Sequence, residues 1–127
     1  MRKIIRTALI GAGAIIPALA LAVPAEAVIT DQYDRVKTVF CSSERYGNDV
    51  EYDNGNRHYD QRVQLSERNN GLWCGSSSFT EYKEYGQYIS ADIQNDNASY
   101  VYCAIWINGQ IAERDEDRSE YGAWAMC

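Results

Sequence analysis

Residues 103–112 read Cys-Ala-Ile-Trp-Ile-Asn-Gly-Gln-Ile-Ala, CAIWINGQIA. Asn108-Gly109 supplies two positive-φ positions, so the stretch reads as a β-hairpin closed by a two-residue type I′ turn. Ile107 is then expected opposite Gln110, Trp106 opposite Ile111 and Ile105 opposite Ala112. Side chains alternate along a strand. Val101, Cys103, Ile105 and Ile107 therefore share one face, while Tyr100, Tyr102, Ala104 and Trp106 share the other, with Ile111 beside Trp106. If Cys103 faces the core, the aromatic set faces outward. Either another strand or the N-terminal segment covers this stripe, or a bulge turns Trp106 inward, or Tyr100, Tyr102, Trp106 and Ile111 form a binding face for sugar rings, a lipid or a partner protein.

The same alternation recurs upstream between Gly/Asn/Asp/Ser turns, without helix-length periodicity. Strands are expected at Val36–Cys41, Val50–Tyr52, Tyr59–Leu65, Leu72–Cys74, weakly at Phe79–Tyr82, then at 87–94, Tyr100–Ile107, Gln110–Asp115 and Tyr121–Met126. Turns are expected at 53–56, 69–71 and 95–97. This pattern predicts an all-β fold, a small immunoglobulin-like β-sandwich of about seven antiparallel strands, with a small barrel as the alternative. The charged run 113–118 reads as a solvated edge or loop.

The first 27 residues differ from the rest. Arg2, Lys3 and Arg6 precede an apolar run, Thr7–Val23, followed by Ala25-Glu26-Ala27. That is the layout of a secretory signal peptide, and Gly11, Gly13 and Pro17 interrupt a run already short for a bilayer. Residues 1–27 are expected to be cleaved, leaving one domain, 28–127, without tight membrane insertion. Removing Arg2, Lys3, Arg6 and Glu26 leaves nine basic and 17 acidic side chains, a net charge of −8. Such a surface disfavours nucleic-acid phosphates and anionic membrane surfaces as partners. A monomer is expected.

All four cysteines, Cys41, Cys74, Cys103 and Cys127, fall after residue 27. An even count in a short exported domain implies two disulfides. Three pairings are allowed; joining neighbours in chain order favours Cys41–Cys74 and Cys103–Cys127. The pattern lacks a C-x-x-C pair, and His58 is the only histidine, so neither a metal site nor any other cofactor is expected.

Hydrolytic chemistry is not expected either. His58 has no triad context, and Gly75-Ser-Ser-Ser78 reads as a serine loop rather than a nucleophile elbow. The stretches 49–55 and 115–117 carry oxygen ligands without EF-hand spacing and read as solvated turns. Asn97-Ala-Ser99 matches a glycosylation sequon.

The segment Tyr102-Cys-Ala-Ile-Trp-Ile-Asn-Gly109, its charged return strand and the closing Cys127 resemble the C-terminal end of the MmpS family, the small mycobacterial membrane proteins. Val50-Glu-Tyr52 and Gln61-Arg-Val-Gln-Leu65 are weaker echoes. The resemblance implies an immunoglobulin-like sandwich in a bacterial cell envelope, a Cys103–Cys127 bridge and an accessory role beside large export transporters. It is not complete: Leu65-Ser66 stands where the family tends to have Leu-Pro, and Cys41/Cys74 are additional. The expected function is a secreted or cell-envelope, non-enzymatic binding module for an envelope protein or a lipid or glycan ligand. The alternative is a secreted, disulfide-braced inhibitor or effector of a soluble partner.

Overall fold

A computed structural model describes residues 28–127; the expected signal peptide, 1–27, lies outside the described residues. Eleven strands follow in order: β1 (Val28–Ile29), β2 (Arg35–Ser42), β3 (Asn48–Asn54), β4 (Arg57–Val63), β5 (Glu67–Asn69), β6 (Leu72–Thr80), β7 (Tyr88–Ile89), β8 (Ala91–Asn95), β9 (Tyr100–Ile107), β10 (Gln110–Arg118) and β11 (Ala123–Met126). A five-stranded antiparallel sheet has the order β10-β9-β2-β6-β5, and a four-stranded one β11-β8-β3-β4; β1 and β7 form a short separate ladder. The expected antiparallel sandwich is therefore the fold. Its strand number exceeds the expected seven mainly because β1, β5 and β7 have only two or three residues each, too short for an alternating pattern to register.

Inward-facing residues of the two sheets meet in one core. Val36 and Phe40 come from β2, Val101, Cys103, Ile105 and Ile107 from β9, and Val50, Ile93, Ala123 and Ala125 from the opposing sheet. Burying each of the larger aliphatic chains stabilises the fold by about 1.5–3 kcal/mol. The predicted inward set of β9 is fully buried. Both favoured disulfides are present. Cys41 and Cys74 are direct neighbours across the β2–β6 ladder. Cys103 reaches from the five-stranded sheet to Cys127, whose N–H bonds to Ala91 O of β8 at 2.7 Å, so this bridge ties the two sheets through the core.

Four local expectations need correction, the first being the solvated turns at 49–55 and 115–117, which lie in β3 up to Asn54 and within β10. Asn108 and Gly109 do adopt positive φ, at 51° and 83°, and Ile107 and Trp106 face Gln110 and Ile111. Ile105, however, pairs with Glu113 rather than Ala112, because a bulge absorbs Ala112. The bulge shifts the register by one, so Glu113 takes a buried position. The serine stretch is not a loop: Gly75–Ser78 runs through the middle of β6, paired with β2. Pairing with a central strand outweighs the low β-propensity of those residues, and Ser77 accepts a hydrogen bond from Asn54 Nδ2 at 2.8 Å. The segment 87–94 is split at Ser90, since β7 pairs with β1 whereas β8 pairs with β3 and β11.

The charged return strand also has a structural task. The Trp124 and Met126 backbone N–H groups of edge strand β11 donate to Asp117 Oδ2 at 2.9 Å and Asp115 Oδ2 at 3.0 Å. These carboxylates satisfy donors that an edge strand otherwise leaves open to other chains.

Candidate binding face

The outward residues of the five-stranded sheet follow from strand alternation and register. Trp106, Ala104 and Tyr102 on β9 stand beside Lys37, Val39 and Cys41 on β2. On the other flank of β2, Arg35, Lys37, Val39 and Cys41 face Thr80, Ser78, Ser76 and Cys74 of β6. Tyr102, Trp106, Arg35, Lys37, Val39, Cys41 and the Ser78–Thr80 stretch line a groove of about 840 Å³ that is open to solvent.

The four residues expected to form the aromatic stripe do not behave alike. Tyr102 and Trp106 are half-buried and line the groove. Tyr100 lies on the same face, but its hydroxyl donates to Glu116 Oε2 at 2.9 Å and Arg118 stacks over its ring at 4.5 Å. Burial and the Glu116 acceptor raise the Tyr100 phenol above its ordinary pKa. Ile111 is 40% exposed beside Trp106. Arg114 sits 5.7 Å from the Tyr102 ring centroid, so the cations of β10 fold over the Tyr100–Tyr102 end while the Trp106 end stays open. The lateral cover of the stripe is thus partial.

Sequence reading missed the contribution of β2. The alternation Arg35-x-Lys37-x-Val39-x-Cys41 was legible as a strand face, but which strand it lies beside is a non-local fact. Neither Arg35 nor Lys37 forms an ion pair among the described residues.

The outward face of the four-stranded sheet has opposite character. Glu51 lies directly between Asp60 of β4 and Asp92 of β8. The neighbouring Asp92 charge raises the Glu51 pKa, and burial raises that of Asp92. On the same face Arg62 pairs with Asp49 through two bonds of 2.9 and 3.0 Å, which lowers the Asp49 pKa. His58 Nδ1 lies 2.9 Å from Asp53 Oδ1; that bond raises the histidine pKa. Trp124 and Met126 project from β11 at the margin, 52% and 42% exposed.

A third surface, at one end of the sandwich, was not singled out from sequence. Tyr33, Tyr82, Tyr85 and Tyr88 are each two-thirds or more exposed. The loop between β6 and β7, which carries Tyr82 and Tyr85, is fastened from beneath. Buried Glu81 accepts hydrogen bonds from Thr30 Oγ1 at 2.8 Å and Gln87 Nε2 at 2.7 Å, and Gly86, at φ +65°, lies so close to Thr30 that a Cβ would meet its carbonyl oxygen.

Two disulfides suggest an oxidising, extracytoplasmic setting. No helix of the described residues is long and apolar enough to cross a membrane, which leaves strand-based crossing unaddressed. Comparison of the chain with protein-family models, with curated proteins and with solved structures finds no match.

Proposed function

We propose that this chain is a non-enzymatic binding module that works outside the cytoplasm, in the cell envelope or after secretion, and that its binding face is the outward face of the five-stranded sheet. The observation that carries this reading is the groove: an indole and a phenol flank an apolar strip beside two cations that form no ion pair among the described residues, on a sheet braced by Cys41–Cys74. A volume of about 840 Å³ lies within the range of about 300–1,000 Å³ common for small-molecule sites. The resemblance of the Cys103–Gly109 hairpin to the MmpS family supports an accessory role beside an envelope transporter.

The test is association. A Trp106→Ala variant that keeps the wild-type unfolding midpoint is expected to move from the envelope fraction to the free fraction. Unchanged partition of that variant contradicts the reading.

A second reading, an inhibitor or effector of a soluble partner, is favoured by the tyrosine cluster. Tyrosine gives large contact area at small entropic cost, and the Glu81 network holds the loop in place before any partner arrives. Under that reading, Tyr82→Ser and Tyr85→Ser, rather than Trp106→Ala, abolish co-purification of one stoichiometric soluble protein.

A further inference from the structure

The groove is polarised along a single strand. Outward from β2 stand Arg35, Lys37, Val39 and Cys41: two cations, then an aliphatic side chain, then a disulfide. Trp106 flanks Lys37, and Tyr102 flanks Cys41. At ~3.3 Å per residue the strip from Arg35 to Cys41 is about 20 Å long. Arg35 and Lys37 are exposed, whereas Val39 is half-buried and Cys41 buried.

Charge distribution decides what such a strip accepts. Residues 28–127 carry 17 acidic and nine basic side chains, so carboxylates are abundant. Even so, neither Arg35 nor Lys37 forms an ion pair among the described residues, while Arg62 on the opposite face is paired bidentately. Two unmatched cations at one end of an apolar strip complement a ligand with an anionic end and an apolar body. A neutral glycan satisfies Trp106 but leaves both charges unused, and a cationic ligand is opposed by them.

We propose that the groove binds a single-chain anionic amphiphile, such as a long-chain carboxylate. Its head group pairs with Arg35 and Lys37. Its hydrocarbon lies over Val39 and the Cys41–Cys74 bridge, between Trp106 and Tyr102. This assignment rests on the binding-module reading and adds the ligand class to it.

The experiment is a set of titrations of the oxidised protein, each probe kept below its micelle concentration, followed by tryptophan fluorescence and calorimetry. Dodecanoate is expected to saturate one site and to bind at least tenfold tighter than dodecyltrimethylammonium or dodecyl maltoside, with affinity falling as salt rises. The R35E/K37E variant is expected to lose at least tenfold in dodecanoate affinity, and Trp106→Ala a similar amount. All three substitutions lie on the outward face, and an unchanged unfolding midpoint verifies that the variants are folded. Equal affinity for the three probes, or a charge reversal without effect on dodecanoate, overturns the proposal. If dodecanoate fails to bind while envelope association still depends on Trp106, the ligand class falls and the binding face stands. If both fail, both readings fall.

Discussion

The two outward faces of this sandwich are built by the same rule and end with opposite properties. On the five-stranded sheet, register aligns Trp106 with Lys37 and Tyr102 with Cys41, giving an apolar strip with a cationic end. On the four-stranded sheet, register aligns Asp92, Glu51 and Asp60 across three neighbouring strands, like charges that destabilise a cross-strand row. Opposite charges there are confined to flanking pairs, Arg62 with Asp49 and His58 with Asp53 and Glu51. Net charge alone therefore misdescribes the molecule. An overall balance of −8 for residues 28–127 coexists with a groove whose Arg35 and Lys37 form no ion pair among the described residues, and a ligand responds to the local balance rather than the overall one.

The largest expected effect comes from uncoupling the two faces. The Cys103–Cys127 bridge is the covalent tie between the sheets, and the C103A/C127A variant is expected to lose about 3 kcal/mol by the chain-entropy relation for a loop of this size. Urea unfolding followed by far-UV circular dichroism measures it; a loss below a third of that figure means that packing alone holds the sheets in place.

A smaller effect should appear at the closed edge. Replacing Asp115 and Asp117 by alanine removes the acceptors of the Met126 and Trp124 N–H groups. The double variant is expected to lose about 1 kcal/mol and to exchange those two amides faster with deuterium. Unchanged exchange at both amides argues against the capping role.

The acidic row predicts a change of the other sign. Glu51→Lys turns two like-charge neighbours into opposite-charge ones, and stability is expected to rise by about 0.5 kcal/mol. A lower unfolding midpoint for this variant contradicts the repulsion described.

The pH dependence follows from the same groups. A raised histidine pKa contributes stability that is fully present below the unfolded value of 6.5 and lost as pH rises through the folded one. Raised carboxyl values at Glu51 and Asp92 mean that their repulsion lowers stability above those values and is relieved as pH falls through them. Asp49, lowered by Arg62, gives stability that is lost only on acidification below its ordinary range. The unfolding midpoint should therefore rise modestly as pH falls from about 8 through the histidine range. His58→Gln is expected to remove that rise; a midpoint that falls steadily over the interval is inconsistent with this assignment. The smallest effect is that of Trp124→Ala, whose exposed site on the acidic face should leave stability within about 0.5 kcal/mol of wild type.

Much of this architecture was legible before any coordinates. Asn108-Gly109 announces its turn because few residues tolerate two consecutive positive φ angles, and the inward set of β9 follows from alternation. The disulfides follow chain order. The Ala112 bulge was not legible, since it carries no glycine or proline, and neither was the middle of β6, whose serines pack as a strand only because β2 lies beside them. The proposed binding face was half legible for the same reason. Trp106 and Tyr102 stand out within one hairpin, whereas Lys37 reaches Trp106 only through a pairing between β2 and β9 that no local pattern encodes.

The central claim is that ligands meet the five-stranded face. The most direct measurement is a ¹H–¹⁵N correlation map of the protein titrated with dodecanoate. Shifts are expected to concentrate at Lys37, Val39, Ser78, Tyr102 and the Trp106 indole, with Glu51, Asp92 and Trp124 unmoved. Shifts centred on Glu51, Asp92 and Trp124, with β2 and β9 silent, would contradict the claim.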